Sequence, residues 1–250
     1  MRRTALLAVA LAAMLALAGC GGTSGTTTAP TTNTTTTQAS VDYPPGVSAD
    51  GVESGFELTG AHAETLRTAD YTVTEITSIR VNGSGYKAYM QTTKAAGDTM
   101  SASRSYSATP SGNNVSSAEF WANASTGVIQ YTHDDGNTTT TTVGSAGDTD
   151  LVRTPDQWSE SLYTLVASGQ LEVSETDEGN FALRASGPLN VTTDYGEVTT
   201  ETLTATVTPN GFVTDISVSY TTTINGETAT VSKQFAFERG DVTVTKPTWA

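Results

Sequence analysis

Besides its 26 acidic residues, this 250-residue sequence has two histidines and one cysteine as side chains that could bind a metal ion or transfer a proton. The two histidines are His62 and His133, and His62 stands between Leu58 and Leu66 at a spacing that predicts one face of a helix. A histidine on such a face is more often a hydrogen-bonded packing residue than a catalytic one. The pattern therefore provides no acid–base pair to which a reaction can be assigned.

The acidic stretch that follows His133 is a second candidate for chemistry. Asp134, Asp135 and Asn137 stand around Gly136 as oxygen ligands do in a calcium loop, but the spaced ligands and final glutamate of an EF-hand are missing. A zinc site would need a further histidine or cysteine. We interpret the stretch as an acidic turn at the end of a strand, and we predict no metal ion, no cofactor and no enzymatic activity.

The single cysteine of the chain follows a short apolar segment near the N-terminus. Arg2 and Arg3 precede an apolar run of 14 residues, Ala5–Ala18, which has the length of a signal-peptide core and is too short for a permanent membrane-spanning helix. Cys20 comes directly after Gly19, and without a second cysteine it cannot form a disulfide within the chain. A redox or metal-binding role for its thiol need not be invoked.

The sequence Leu17-Ala18-Gly19-Cys20 resembles the lipobox of bacterial and archaeal lipoproteins. In that family the cysteine thiol receives a diacylglyceryl or archaeal diether lipid and becomes the first residue after cleavage. The resemblance implies a signal peptide over residues 1–19, lipid attachment at Cys20 and a location on the outer face of the cell membrane. An ordinary signal peptide with a chance cysteine is the alternative, and the adjacent arginines leave the export route, general or twin-arginine, open.

The charge of the chain bears on its partners and its environment. Without Arg2 and Arg3, 10 of the 12 basic residues remain beside 26 acidic ones, so the formal charge is near −16. Nothing favours nucleic acid as a partner, because phosphate binding needs a basic patch and the sequence has no cluster of Lys and Arg. The composition resembles that of a halophilic, archaeal protein, whose charge is screened by salt; an acidic secreted protein is the alternative.

A threonine-rich segment separates the cysteine from the rest of the chain. Ten of the twenty residues 21–40 are threonine and almost none is apolar, which predicts that residues 20–40 are a disordered tether for one domain over residues 41–250. Asn-x-Ser/Thr sequons of an exported protein can carry glycans, although a threonine-rich chain also produces them by chance. They occur at Asn33, Asn82, Asn114, Asn123, Asn137 and Asn190.

The domain sequence has the pattern of β-strands. Apolar and polar residues alternate, as where Ile216 and Val218 flank Ser217, and Asn-Gly pairs at 210–211 and 225–226 predict hairpin turns. Strands are predicted at residues 71–81, 86–93, 99–108, 118–124, 127–133, 137–143, 171–175, 181–186, 202–207 and 212–221.

Two helices are predicted to interrupt the strands. Ser54 and Glu57 have the spacing of a capping box before one amphipathic stretch, and Thr154 and Gln157 have it before a second, which Gly169 is predicted to end. An amphipathic helix needs an apolar surface to cover. The sequence therefore predicts a mainly β (α+β) fold, a large curved antiparallel sheet or half-open β-barrel with two helices packed on its concave face.

This element order resembles the outer-membrane lipoprotein carrier superfamily and the related mycobacterial lipid-binding lipoproteins. Residues 206–213 (Thr-Val-Thr-Pro-Asn-Gly-Phe-Val) are typical of their late hairpins, while residues 43–47, Ala61-His62 and residues 71–73 resemble haloarchaeal surface lipoproteins. Members of the carrier superfamily are half-open β-barrels with helices plugging a hydrophobic cavity, and they carry lipids or acylated proteins. No catalytic residue is implied by the resemblance.

Two functions remain open from the sequence. The first is a lipid-anchored protein that binds or carries a lipid or other apolar ligand, and the second is a structural or interaction module of the cell surface with a filled core. A cavity larger than about 300 Å³ would favour the first. Such residues are more often part of a plain core than of a cavity lining. The residues that could line a cavity are Tyr71, Tyr89, Trp121, Tyr131, Trp158, Leu162, Leu165, Phe212, Phe235 and Phe237.

We expect Cys20→Ser to release the protein from the membrane and to leave the domain folded, because the thiol is the attachment atom and lies outside every predicted core segment. Cell fractionation measures the first effect and circular dichroism the second. Finding the Cys20→Ser protein in the membrane fraction would contradict the lipid anchor.

Overall fold

Antiparallel strands dominate the computed structural model, which describes residues 41–110, 112, 114–167, 170–185, 192–193, 196–198 and 200–250. The predicted signal peptide, Cys20 and the tether lie outside the described residues, as do Asn33, Asn190 and Gly169. The helices are α1 (Gly55–Thr68) and α2 (Pro155–Val166), with one turn of 3-10 helix at Ala146–Asp148. The strands are β1 (Val47–Ser48), β2 (Gly51–Val52), β3 (Tyr71–Val81), β4 (Ser84–Ala96), β5 (Thr99–Ala108), β6 (Val115–Ala122), β7 (Gly127–His133), β8 (Thr138–Val143), β9 (Leu171–Glu175), β10 (Phe181–Ala185), β11 (Thr192–Thr193), β12 (Gly196–Glu197), β13 (Thr200–Val207), β14 (Val213–Ile224) and β15 (Glu227–Arg239).

Eleven of these strands form one open antiparallel sheet. Its order is β8-β7-β6-β5-β4-β3-β15-β14-β13-β10-β9, while β1 pairs with β2 and β11 with β12 in two small sheets. The early meander β3–β8 and the later strands meet where β3 pairs with β15 along its whole length. The mainly β fold with a large antiparallel sheet and two helices is therefore confirmed, and the sheet is not closed.

Alternation along the strands gives the sheet two different faces. In β15, Phe235 and Phe237 are buried, Ala236 between them is half-buried, and Gln234 before them is exposed. Residues opposite each other in antiparallel strands point to the same side, so this side continues through Glu75 of β3 and Ile216 of β14, the partners of Phe235. We call the side of Phe235 the inner face and the other side the outer face.

Helix α1 begins where the capping residues predict. The N-cap Ser54 accepts a hydrogen bond from the Glu57 backbone N–H at 3.2 Å, which satisfies a donor that the helix itself leaves free. Leu58, His62 and Leu66 are buried at intervals of four residues. This stripe packs on the inner face, where the His62 ring contacts those of Phe212 and Phe237.

Helix α2 has the complete capping box that its sequence predicts. Thr154 accepts from the Gln157 backbone N–H, and the Gln157 side chain accepts from the Thr154 backbone N–H at 2.9 Å. Trp158, Leu162 and Val166 form its buried stripe. Among the residues that the structure describes, no helix has the length and apolar character needed to cross a membrane.

The buried apolar residues form two clusters. The larger joins both helices to the inner face of β3, β15, β14, β13 and β10. The smaller lies on β5, β6 and β7 and includes Leu151 and Val152 from the segment that leads into α2. The helices therefore cover one part of the inner face, and the segment before α2 covers a second part.

Some strands end at other residues than predicted. Strand β6 ends at Ala122, two residues early, because the Asn123 side chain accepts hydrogen bonds from the backbone N–H groups of Ser125 and Thr126 and forms a turn. Strand β4 is longer than predicted, because it pairs with β3 from Tyr71 to Val81. The predicted Asn225-Gly226 hairpin turn is present, with positive φ at both residues.

We expect Leu162→Trp to lower the free energy of unfolding by about 1–3 kcal/mol, because Leu162 is only 1% exposed and an added ring overpacks the contact between α2 and the sheet. Tyr163→Trp is the matched control, since Tyr163 is the next residue of the same helix and is 46% exposed. Thermal and urea melts of both variants test this. Equal stability of the two would mean that space remains beneath the helix.

Candidate functional site

Most of the predicted cavity-lining residues pack against one another. The Trp158 ring lies 5.3 Å from that of Phe235 and 4.9 Å from that of Phe237, in edge-to-face contacts. The larger apolar cluster contains Tyr71, Trp158, Leu162, Phe212, Phe235 and Phe237, and the half-buried Leu165 packs against it. These seven side chains fill the space between helices and sheet, as a core does.

Trp121 points away from the other candidates. It pairs with Ser101 and lies on the outer face, whereas its neighbour Phe120 is on the inner face. The C-terminal segment covers it: the Lys246 ammonium lies 4.9 Å from the Trp121 ring centroid, and the Trp249 indole N–H donates to the Glu119 carboxylate at 3.2 Å. Trp121 therefore packs beneath the chain end rather than beneath the helices.

Two grooves of cavity size lie mainly on the outer face. The first, of about 410 Å³, crosses β3, β15, β14, β13 and β10 and is lined by residues such as Ile76, Asp215 and Gln234. The second, of about 390 Å³, lies between the C-terminal segment and strands β4 to β6. Neither lies between the helices and the sheet, where the sequence places a ligand cavity.

Tyr89 and Tyr131, the remaining candidates, lie on the inner face beyond the helices. Both are half-buried, as is Tyr106, which pairs with Tyr89 at a ring distance of 5.9 Å. Tyr131 of β7 pairs with Ala118, the partner of Arg104 in β5. We call Tyr89, Tyr106 and Tyr131 the tyrosine surface, and it belongs to the same sheet face as the filled core.

A buried carboxylate marks the boundary between the core and the tyrosine surface. Glu75 is only 2% exposed, and it accepts hydrogen bonds from the hydroxyls of Tyr89 at 2.6 Å and Thr77 at 3.1 Å and from the Arg153 guanidinium at 3.2 Å. Burial, followed by the nearby Glu75 charge, raises the pKa of Tyr89 well above its usual range, so this hydroxyl stays protonated and donates. Arg153 also stacks on the Trp158 ring, 4.7 Å from its centroid.

A buried arginine lies in the same row of the sheet as this carboxylate, with Gln91 of β4 between them. Arg104 is only 3% exposed and donates to the Gln91 side chain at 2.6 Å, to the Tyr106 hydroxyl at 3.3 Å and to the Asp150 backbone carbonyl at 2.8 Å. The Gln91 amide in turn donates to the Leu151 carbonyl at 2.6 Å. These bonds attach the segment before α2 to the centre of the early meander.

We define the inner-face polar cluster as Glu75, Tyr89, Gln91, Arg104 and Arg153. Of these residues, the sequence analysis identified Tyr89 alone, as a cavity candidate. The sequence does contain a pattern that indicates this cluster. Each of its strand residues stands at a position that the alternation of its strand assigns to the inner face. In β3, Glu75 stands between Val73 and Thr77, both buried. A charged side chain at an inward position must be paired when it is buried, so it indicates a polar network on that face.

The side chains of the predicted acidic turn form hydrogen bonds within the turn and with neighbouring residues. Asp135 accepts from the backbone N–H and the side-chain amide of Asn137, and these bonds lower the pKa of Asp135. The His133 ring lies 3.1 Å from the Thr139 hydroxyl and 3.4 Å from the Asn114 side-chain oxygen. Within the described ranges, no three side chains of His, Cys, Asp or Glu come together as metal ligands would.

Four of the six sequons lie on described residues, and all four asparagines are exposed: Asn82, Asn114, Asn123 and Asn137. Asn82 has a positive φ of 50° and forms the turn between β3 and β4 with Gly83, while Asn123 forms the turn after β6. Their positions are sterically open to a glycan, and glycosylation itself stays a prediction.

His62 is fully buried in the core. Its Nδ1 accepts a hydrogen bond from the Val213 backbone N–H at 3.2 Å, and its Nε2 makes no hydrogen bond to the described residues. Burial lowers the pKa of His62 to about 3, since the charged imidazolium would lose its hydration among aromatic rings. The neutral ring therefore acts in packing and as an acceptor.

The comparisons with known proteins are sparse. No protein-family model and no curated protein matches the chain. A DUF1329 family protein from Desulfovibrio piger has 13% sequence identity and a TM-score of 0.30, over 78% of this chain and 95% of that one. Rv2717c from M. tuberculosis has 10% identity and a TM-score of 0.24, over 72% of this chain and 98% of that one. At such scores neither likeness bears on function.

We expect acid to destabilise the fold through His62. Below the ordinary pKa of 6.5 the unfolded chain binds a proton that the folded chain does not bind until pH is about 3. The free energy of unfolding should thus fall by up to about 1.4 kcal/mol per pH unit as pH drops from 6.5 towards 3. Urea melts between pH 6.5 and 5 measure this slope.

Two variants isolate the contribution of His62. His62→Asn keeps an acceptor for the Val213 N–H but does not titrate, so its unfolding free energy should be lower at neutral pH and vary less with acid. His133→Asn should keep the parental slope, because His133 is not in the core. Parallel slopes for His62→Asn and the parent would refute the assignment.

Proposed function

We propose that this chain is a membrane-anchored extracytoplasmic lipoprotein that binds an apolar ligand on the inner face of its open sheet. The observation that carries the proposal is the tyrosine surface, in which Tyr89, Tyr106 and Tyr131 keep half-buried rings beside the filled core. Large aromatic surface with a few placed polar groups is the usual lining of a small-molecule site.

The coverage of the inner face supports this location. The core beneath α1 and α2 has its space filled by Trp158, Phe235 and Phe237. Strands β7 and β8 at the other end of the sheet have mostly half-buried or exposed side chains. The segment before α2 covers part of β5 to β7, where Tyr106 and Tyr131 pack half-buried against the smaller apolar cluster. A ligand would therefore lie beside that segment, against the tyrosine surface, and not between helix and sheet.

The resemblance to the lipoprotein carrier superfamily supports the same function. It implies a half-open barrel with helices packed inside, and an open eleven-stranded sheet with two helices on one face agrees with that arrangement. The anchor at Cys20, the location outside the cytoplasm and the salt-dependent, halophilic character belong to the proposal on the strength of the sequence alone.

One observation favours a second function, a structural or interaction module of the cell surface. The aromatic residues closest to the helices form a packed core, and the two grooves described above lie mainly on the outer face. A module without a small-molecule ligand would have such an interior. The two functions differ in whether the tyrosine surface is occupied.

Native mass spectrometry of the full-length protein isolated from its own membranes tests the proposal. We expect a co-purifying apolar molecule, and we expect Tyr131→Ser to reduce its occupancy, because Tyr131 presents its ring at the proposed site. Tyr163→Ser is the matched control, an exposed tyrosine of α2 that should leave occupancy unchanged.

The second function would be favoured by the opposite result. A parent protein that carries no ligand, and that binds neither a fluorescent fatty acid nor its methyl ester, would overturn the proposal of a carrier. Unchanged occupancy in Tyr131→Ser would instead remove the tyrosine surface as the binding site.

A further inference from the structure

We infer that two copies of this chain pair through strand β8, so that the open sheet of one copy continues into the sheet of the other. The inference goes beyond the proposed function and does not depend on a ligand. It starts from the backbone groups at one end of the sheet. There β8 (Thr138–Val143) has β7 as its one strand neighbour in the part of the chain that the structure describes.

Strand β8 presents a row of unpaired backbone groups. In an antiparallel pair, residues that exchange hydrogen bonds with the neighbouring strand alternate with residues whose N–H and C=O point away from it. The His133 backbone N–H donates to the Asn137 carbonyl at 2.9 Å, and the register of β7 with β8 has no shift. The outward groups therefore belong to residues 138, 140 and 142. No described residue forms a hydrogen bond with them. We call this row the β8 edge.

The strand at the other end of the sheet has a neighbouring segment against it. Strand β9 (Leu171–Glu175) lies beside the β1–β2 hairpin. A Cβ atom on Gly51 of this hairpin would be only 3.0 Å from the Leu171 carbonyl oxygen. Of the two ends of the sheet, the β8 edge is therefore the one at which a further strand can be added.

The composition of β8 suits pairing with another strand. Natural edge strands usually avoid such pairing through charged side chains, proline or a β-bulge. Strand β8 consists of five threonines and one valine, all of them β-branched, and it pairs with β7 without a bulge. Its threonines are exposed. The strand thus has the propensity to extend a sheet and none of these protections.

The charge of the chain favours a second copy as the occupant of the β8 edge. A chain with a formal charge of −14 repels another copy of itself, so a contact between copies needs a surface without charge. Strands β7 (Gly127–His133) and β8 contain no Asp, Glu, Lys or Arg. Two copies can therefore meet at β8 without placing like charges opposite each other in the paired strands.

A two-fold axis determines the register of this contact. When Thr140 lies opposite Thr140 of the second copy, Thr138 lies opposite Thr142, and every outward backbone group of both strands has a hydrogen-bond partner. A shifted register leaves some of these groups unpaired. Six residues from each copy bury less area than a standard interface, so we expect a weak dimer whose population depends on protein concentration.

Sedimentation velocity of the full chain over a range of concentrations tests the inference. Cys20→Ser serves as the parent because it lacks the predicted lipid, and molar salt screens the repulsion between copies. We expect a monomer–dimer equilibrium in the parent. Thr140→Lys should raise the Kd of the dimer at least about tenfold, because two ammonium groups then face each other across the axis.

Thr204→Lys is the matched control. Thr204 is an exposed threonine of β13, which has β10 on one side and β14 on the other, so this variant should keep the parental Kd. Circular dichroism confirms that each variant is folded. A parent that stays monomeric at about 100 µM would overturn the inference and leave the β8 edge to a strand of another protein. Dimerisation of Thr140→Lys with the parental Kd would also overturn it.

Cysteine cross-linking tests the register without adding charge. In the Cys20→Ser background, Thr140→Cys places the one thiol of each copy at a Cα–Cα distance of about 5.5 Å, which allows a disulfide. Thr142→Cys is the control on the same strand, since its two thiols would be four residues apart along the pair, about 14 Å. We expect copper-phenanthroline to oxidise Thr140→Cys to a dimer at least about tenfold faster. Equal rates would indicate random collision and overturn the pairing.

Discussion

The pairing of β3 with β15 is the constraint on which the rest of the structure depends. It joins the early meander to the later strands through a ladder that runs from Tyr71 opposite Arg239 to Val81 opposite Ala229. Its register decides which side chains face the helices, because a shift by one residue would turn Glu75 outward and bring Ile76 inward. The pairing also closes a long loop in the chain, so it forms against a large loss of conformational entropy. Nearly all other strand pairs of the large sheet are formed by neighbours along the sequence.

The same junction determines where buried charge can lie. Glu75 stands at the centre of β3 with Phe235 on one side and Gln91 on the other, so an apolar cluster ends and a polar row begins at one residue. A carboxylate and a guanidinium out of water are tolerated only when hydrogen bonds replace their hydration, and Glu75 and Arg104 each have three such partners here. Two of these bonds reach the segment at 150–153, which leads directly into α2. The polar row therefore positions the helix as well as dividing the core.

Local features were predictable from the sequence and distant ones were not. Strands β3, β5, β7 and β9 have the predicted ends, and both helices start after the predicted N-caps, because alternation and capping act over a few residues. The outer-face position of Trp121 could not be predicted from the sequence. Residues 118 to 122 are nearly all apolar, so apolar and polar residues do not alternate there. The polar cluster combines residues of three strands and one loop, so its members become neighbours only once the register is known. Sequence reasoning therefore found the aromatic residues of the inner face but not the charges among them.

Aromatic residues have two roles in this fold, and their neighbours decide which. Trp158, Phe235 and Phe237 have ring partners and a helix above them, so their surface is already removed from water. Tyr89, Tyr106 and Tyr131 have hydroxyls or ring edges beside charged groups and remain half-buried. A tyrosine suits such a position because its body can take up an apolar ligand while its hydroxyl stays hydrogen-bonded. The boundary formed by Glu75 and Arg104 thus divides one sheet face into a fully buried aromatic core and a part whose tyrosine rings remain half-buried.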